Sequence, residues 1–170
     1  MKTLLIVYHS MTGGTLQMAH AARDGARAAA EAAGTADTLS ISFLRAAEAQ
    51  PVDVLGADGY LFATPENLAA MSGQMKDFFD RSYYAALDRI NGKPYAVLIC
   101  AGSDGRQAAE QIARIATGWR LRAVAEPLIV CTHAQTPEAI LGPKRITATD
   151  LKRCEDLGAT LGAGIALGIF

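Results

Sequence analysis

The stretch TLLIVYHSMTGGT, residues 3–15, decides the fold. Its first part, residues 3–8, is a continuous apolar run, which predicts a strand buried on both faces, as in a parallel sheet. A turn that contains Gly13 and Gly14 follows, and from Gly14 to about Ala33 the chain is rich in alanine, a strong helix former. This order of strand, turn and helix predicts the opening unit of an α/β fold.

The same alternation continues along the rest of the chain. Four further apolar runs predict strands, at residues 39–43, 59–63, 95–101 and 124–132. Three further helices are predicted, at about residues 72–86, 104–117 and from 149 onward. Strands that alternate with helices predict a single α/β domain over residues 1–170, with a doubly wound parallel sheet of five strands and helices on both faces.

The C-terminal part of the chain contains its longest uncharged run, residues 157–170. A membrane-spanning helix needs ~20 apolar residues, so this run predicts a buried helix and no membrane insertion. Gly158, Gly162 and Ala166 recur at every fourth position, which predicts that one helix face packs closely against the sheet. The preceding segment, residues 133–146, is interrupted by proline and glycine and predicts a surface loop.

Composition and charge exclude several classes of protein. The chain is 51% hydrophobic and 19% charged, which excludes a mainly disordered protein. Sixteen Lys and Arg residues against 17 Asp and Glu residues give a net charge of −1, which argues against binding nucleic acid by phosphate neutralisation. Cys100, Cys131 and Cys154 form no C-x-x-C or zinc-like cluster, and no signal-peptide pattern follows Met1. We therefore expect free thiols, no bound metal and a cytoplasmic location.

The turns after the first, third and fourth strands are the expected location of the function. Right-handed crossovers bring these three turns to the carboxyl edge of the sheet. Ligands of such folds bind at this edge, where the strand order reverses. The functional residues are therefore expected in three segments, residues 9–15, 64–73 and 101–106.

The first of these turns has the chemistry of a phosphate-binding loop. Its glycines allow backbone N–H groups to point into a tight concavity, and the following helix adds the positive end of its dipole. Ser10, Thr12 and Thr15 add three hydroxyl groups. Neither the G-x-x-x-x-G-K-[ST] nor the G-x-G-x-x-G pattern is present, so a nucleoside triphosphate site and a Rossmann pyrophosphate site are not indicated.

The pattern S-x-T-G-x-T directly after the first strand resembles the flavodoxin phosphate loop. In length and element order, nearly the whole chain is similar to flavodoxin-like proteins, including NAD(P)H-dependent FMN reductases and flavin-dependent quinone reductases. The resemblance implies a flavodoxin-like sheet with strand order 2-1-3-4-5 and a non-covalently bound FMN. It implies that the FMN phosphate is held by Ser10, Met11, Thr12, Gly13, Gly14 and Thr15.

The second and third loops would hold the flavin ring in the same resemblance. In the reductases a Thr-Pro turn followed by a Ser-Gly pair frames the isoalloxazine. The residues that match these positions are Thr64, Pro65, Glu66, Asn67 and Leu68 in the second loop, and Ala101, Gly102 and Ser103 in the third. These segments contain no Trp, Tyr or Phe.

The absence of aromatic residues from these loops, together with the small net charge, favours a reductase over an electron carrier. Carrier flavodoxins usually cover the ring with aromatic side chains and use a strongly acidic surface to attract a partner. We therefore expect electron transfer from NAD(P)H through FMN to a quinone or another small acceptor, with the chemistry on the flavin and no catalytic side chain. The alternatives are a flavodoxin-type carrier that serves a protein redox partner, and a regulatory flavin-binding module. The resemblance is also compatible with a homodimer.

A third type of chemistry is suggested by the spacing of Cys100 and Arg106, C-x5-R, at a strand–loop–helix junction. Tyrosine-phosphatase-type loops have this spacing, and in them a thiolate attacks phosphorus while arginine holds the phosphoryl oxygens. The simpler interpretation is that Cys100 is a buried strand residue and that Arg106 forms a surface ion pair with Glu110. Arg106 as an anchor for the flavin or for a nicotinamide phosphate is the other alternative.

Overall fold

A parallel sheet forms the centre of the molecule, in a computed structural model that describes residues 1–170. Its strands are β1 (Lys2–Tyr8), β2 (Leu39–Arg45), β3 (Gly59–Asn67), β4 (Ala70–Met71), β5 (Pro94–Ala101), β6 (Arg122–Ala123) and β7 (Leu128–Cys131). The main strands lie in the order β2-β1-β3-β5, and both β6 and β7 pair with β5. The predicted parallel order is thus confirmed, with a fifth position that Pro127 divides into two short pieces.

Strand β4 is the one antiparallel element of the sheet. It pairs with the end of β3, Glu66 opposite Met71 and Asn67 opposite Ala70. Strand β3 therefore extends to Asn67, beyond the strand predicted at residues 59–63. The hairpin with β4 continues it past the edge of the parallel sheet.

Helices cover both faces of the sheet, as the alternating pattern predicts. They are α1 (Gly14–Ala32), α2 (Pro51–Gly56), α3 (Gly73–Ala86), α4 (Arg106–Gly118), α5 (Pro137–Leu141) and α6 (Ala148–Ala166). Buried residues of α1 and α6 pack on one face, and those of α2, α3 and α4 pack on the other. The short helices α2 and α5 were not predicted, and α5 lies within the segment expected to be a loop. No helix has both the length and the apolarity needed to cross a membrane.

Aromatic side chains hold α3 and α4 against the sheet. Phe62 of β3 contacts Phe79 of α3 with ring centroids 5.0 Å apart, and Phe79 lies 5.3 Å from Trp119 at the end of α4. Trp119 is 2% exposed. Edge-to-face pairs of this kind add about 0.5–1.5 kcal/mol each to the stabilisation from burial. This cluster holds the middle of α3 and the C-terminal end of α4 against β3.

The glycines of α6 make the close contact that their spacing predicts, but their partner is helix α1 and not the sheet. A Cβ atom at Gly158 would overlap the carbonyl of Ala22, and one at Gly162 would lie 2.8 Å from the Cβ of Ala26. The spacing identifies a face that approaches another backbone closely, but it carries no information about which element provides that backbone. The expectation of packing against the sheet was therefore wrong.

We expect Gly158→Ala to lower the free energy of unfolding by about 2 kcal/mol, because the added methyl group forces α1 and α6 apart. Urea unfolding measures the change. Gly118→Ala is the matched control, because a Cβ at this helical glycine meets open space and alanine is the better helix former. An equal or smaller loss in Gly158→Ala than in the control would show that the two helices are not in close contact.

Candidate functional site

A cleft of about 400 Å³ opens at the carboxyl ends of β1, β3 and β5, at the edge where the sequence places the function. Its volume is in the range typical of small-ligand sites. Eleven predicted site residues line it: Ser10, Met11, Thr12, Gly14, Thr15, Pro65, Glu66, Asn67, Ala101, Gly102 and Ser103. The three loops therefore meet in one cleft, and FMN binding by these residues stays a prediction.

The loop between β1 and α1 presents backbone N–H groups that the protein itself does not use. Gly13 has a left-handed backbone, φ 88°, and forms the N-cap of α1. The Ser10 hydroxyl accepts hydrogen bonds from the N–H groups of Gly13 and Leu16, at 3.1 and 3.3 Å, and so holds the loop in shape. The N–H groups of Thr12, Gly14 and Thr15 have no acceptor in the protein, so they are free to bind a ligand.

Thr15 carries a buried hydroxyl that has no nitrogen or oxygen partner and only the weakly accepting thiol of Cys100 beside it. The residue is 1% exposed and lines the cleft. A buried hydroxyl without a partner costs about 1–3 kcal/mol, which is unusual in a native interior. A ligand oxygen at the start of α1 would satisfy this hydroxyl together with the free N–H groups.

The backbone at Gly14 lies close to the opposite wall of the cleft. A Cβ at this position would lie 2.6 Å from the Sγ of Cys100 and 3.2 Å from the Cβ of Lys144. Glycine therefore permits the first turn of α1 to approach the end of β5. This tight cradle of free N–H groups and one free hydroxyl, at the positive end of a helix dipole, fits a phosphate group such as that of FMN.

The second and third loops form the other end of the cleft. Pro65, Glu66 and Asn67 end β3, and Ala101, Gly102 and Ser103 lead from β5 to α4. The lining contains no Phe, Tyr or Trp. The third loop gives this end small side chains, and Glu66 gives it one carboxylate.

Three predicted site residues lie outside the lining. Gly13 contributes through its backbone conformation. Thr64 is fully buried, and its hydroxyl accepts the N–H of Ser72 at 3.1 Å, so it connects β3 to the N-cap of α3. Leu68 is fully exposed at the tip of the β3–β4 hairpin, where it and Ala69 have left-handed backbones with φ 51° and 62°. The side chains of Thr64 and Leu68 thus do not line the cleft, and contact of their backbone with the ring stays a prediction.

The segment after β7 supplies cleft residues that the sequence interpretation missed. Residues 133–146 were expected to be a surface loop, but Thr132, Ala134, Ile140, Leu141 and Lys144 line the cleft. The available signal was the position of this segment at the end of the fifth parallel strand, on the same edge as the other three loops. His133 does not line the cleft.

Cys100 and Arg106 do not form the phosphatase-type arrangement. Cys100 is buried, and this burial raises its pKa, so the thiol stays protonated at neutral pH. Arg106 is 77% exposed and pairs with Asp104 at 2.7 Å, not with Glu110 as expected. Since the nucleophile of that chemistry is a thiolate, the arrangement argues against it.

Comparison with known proteins shows what this chain is similar to. Residues 52–135 match the family "NADPH-dependent FMN reductase". A flavodoxin structure from the domain Archaea superposes with a TM-score of 0.74 at 18% identity, and it covers 96% of this chain and 98% of that one. The chain therefore has the flavodoxin-like fold. The resemblance of this chain to the FMN reductases, expected from its loops, is confirmed over residues 52–135, somewhat less than half of the chain, which include the second and third loops.

Among the curated relatives are two NAD(P)H dehydrogenases (quinone) and one flavodoxin. An NAD(P)H dehydrogenase (quinone) of Acidithiobacillus ferrooxidans is 34% identical over 48% of this chain and 48% of that relative. Another, from Archaeoglobus fulgidus, is 30% identical over 57% of this chain and 60% of its own length. A flavodoxin of Aquifex aeolicus is 32% identical over 62% and 53%. The chain thus spans about half to three fifths of the length of these relatives.

We expect Thr15→Val to separate binding from stability. The variant loses no hydrogen bond to nitrogen or oxygen in the unliganded protein, only the weak contact with the Cys100 thiol, so its free energy of unfolding stays equal or rises by up to about 1 kcal/mol. Its FMN affinity falls about tenfold, because a bond to a charged oxygen is lost. Urea unfolding and flavin fluorescence measure the two quantities.

The matched control for this variant is Thr160→Val on α6, where the hydroxyl donates to the carbonyl of Asp156 away from the cleft. An equal FMN Kd in both variants would remove Thr15 from the site.

We expect the buried thiols to resist alkylation. Burial raises the pKa of Cys154 to about 12, and a free thiol titrates near ~8.5. The folded state therefore disfavours the reactive thiolate, and iodoacetamide at pH 8 modifies Cys154 more than about a hundredfold more slowly in the folded than in the urea-unfolded chain. Mass spectrometry of the labelled peptides measures the ratio. Equal rates would show that Cys154 is accessible.

Proposed function

We propose that residues 1–170 form one FMN-binding domain that acts as an NAD(P)H-dependent oxidoreductase, with a quinone or another small molecule as acceptor. The observation that carries the proposal is the cradle at the start of α1, where three N–H groups and the Thr15 hydroxyl have no partner in the protein. The names of the matched family and of two curated quinone dehydrogenases support the activity.

Each loop has a separate role in this proposal. Ser10 to Thr15 hold the phosphate through backbone N–H groups and hydroxyls, with Ser10 keeping the loop in shape. Pro65 to Asn67 and Ala101 to Ser103 support the ring. Bound FMN supplies the two-electron chemistry that the side chains of the cleft lack. The protein orients the ring and leaves one face open to the nicotinamide and then to the acceptor.

The open face favours a reductase over a carrier. No aromatic side chain lines the cleft, and the net charge of −1 provides little attraction for a basic protein partner. A second copy of the chain would supply the cover that the lining lacks, so a homodimer is part of the proposal. The three free cysteines support a cytoplasmic location.

A flavodoxin-type carrier is the second candidate, because one curated relative is named a flavodoxin. It would bind FMN through the same cradle and exchange electrons with a protein redox partner. The difference between the two candidates lies in whether NAD(P)H alone reduces the bound flavin.

A flavin titration followed by anaerobic reduction tests the proposal. Saturable quenching of FMN fluorescence at micromolar protein is expected. NADH or NADPH then bleaches the bound FMN without any other protein, and a soluble quinone restores its absorbance. If FMN binds but neither nicotinamide reduces it, the carrier replaces the reductase. If micromolar FMN does not bind, both candidates are removed.

A further inference from the structure

The segment at residues 132–146, here called the strap, crosses the phosphate loop and is tied to it by Gln17. The Gln17 amide nitrogen donates to the carbonyl of Gly13 at 2.9 Å and to the carbonyl of Lys144 at 2.8 Å. Its amide oxygen accepts the N–H of Ile146 at 3.2 Å. One side chain on α1 thus connects the phosphate loop to a part of the chain more than a hundred residues away.

Lys144 joins the strap to the same loop through its own backbone and stem. Its N–H donates to the carbonyl of Thr12 at 2.8 Å. Its Cβ lies where a side chain at Gly14 would have to go. The strap therefore forms a wall of the phosphate end of the cleft and not a peripheral loop.

The ammonium group of Lys144 is held in a fixed position. It donates to three carbonyl oxygens, those of Ala139, Ile140 and Gly142, at 2.8, 2.7 and 2.7 Å. Its three N–H donors are thereby used. No carboxylate lies within 4.0 Å of it, whereas nine other ion pairs occur in the chain. The charge of Lys144 is thus immobilised without being neutralised.

The field of this charge reaches the floor of the cleft. Burial raises the pKa of the Cys100 thiol, and the Thr15 hydroxyl and, after it, the nearby Lys144 act against that effect by favouring the anionic form. A negative group between Cys100 and the start of α1 would experience the same attraction. The phosphate loop offers only neutral donors, so Lys144 is the one cation that lines the cleft.

We propose that Gln17 and Lys144 form a second half of the phosphate site: Gln17 fixes the strap, and Lys144 supplies a fixed positive charge that selects the phosphorylated flavin over riboflavin. This inference rests on the proposed function, because it presupposes that flavin binds in the cleft. Lys144 acts at a distance as a point charge, since its donors are already used, and Gln17 is a positioning residue.

Titration of the protein with FMN and with riboflavin tests the charge. Lys144→Met keeps the stem over Gly14 and removes the ammonium. We expect FMN to bind about tenfold more weakly to this variant and riboflavin to bind within about twofold of the unmodified protein, because riboflavin lacks the phosphate. The FMN difference should shrink when the salt concentration is raised to about 0.5 M.

Arg145→Met is the matched control, since it removes the same charge from the next residue of the strap, whose side chain lines a neighbouring depression and not the cleft. It should leave both flavin affinities unchanged. An equal loss of FMN affinity in the two variants would mean that overall charge is responsible and would overturn the proposal for Lys144.

Gln17→Met tests the positioning role independently. The variant keeps the length of the side chain but loses the three hydrogen bonds, so amide hydrogen exchange at residues 139–146 should become faster and the preference for FMN over riboflavin should fall. Unchanged exchange and preference would overturn the role of Gln17.

The outcomes separate this inference from the proposed function. If the unmodified protein binds neither flavin, the proposed function fails. If it binds FMN but Lys144→Met binds FMN equally well, or loses FMN and riboflavin equally, the inference alone fails.

Discussion

The close approach of Gly14 on α1 to Cys100 at the end of β5 is the constraint on which the cleft depends. Any side chain at position 14 would meet the Cys100 sulfur at 2.6 Å. This contact sets how far the first turn of α1 reaches over the sheet. The same helix is held at its other side by α6, where Gly158 and Gly162 allow the two backbones to touch. Helix α1 is therefore fixed from both sides before any ligand arrives.

The fixed helix explains why the protein tolerates an unsatisfied group in its interior. A mobile loop would turn the Thr15 hydroxyl toward the nearest acceptor or toward water. Thr15 lies on the first turn of α1, is 1% exposed and so has no access to water. A site with preset donors loses little freedom when a ligand binds, so more of the interaction energy appears as affinity. The unsatisfied Thr15 hydroxyl lowers the stability of the unliganded protein.

Much of the fold follows from local signals in the sequence. Strand β1 and helices α1 and α3 depend on residues that lie close together in the chain, and the apolar and helix-forming patterns identify them. The three loops of the candidate site were located by the topological rule for parallel sheets. Their meeting in one cleft follows from the sheet and needs no further information.

The features that the sequence did not indicate depend on contacts between distant residues. The spacing of Gly158 and Gly162 predicts a close neighbour but cannot distinguish a helix from a sheet. The hydrogen bonds of Gln17 connect positions 13, 144 and 146, and no local pattern marks a glutamine with this role. Likewise, Lys144 follows Pro143 in a segment that resembles an ordinary loop. Its role follows only from its contacts in the folded chain, with the carbonyl groups at α5 and with the phosphate loop.

The hairpin tip at Leu68 and Ala69 differs in character from the rigid wall at α1. Two consecutive residues with side chains adopt left-handed backbones there, each at a cost of roughly 1–2 kcal/mol relative to an ordinary conformation. A rearrangement of this tip would release that strain, whereas a movement of α1 would break packed contacts on two sides. The α1 side of the cleft therefore resists deformation, whereas the β3–β4 hairpin yields more easily. Because Glu66 and Asn67 of this hairpin line the cleft, adaptation to ligands of different shape is concentrated there.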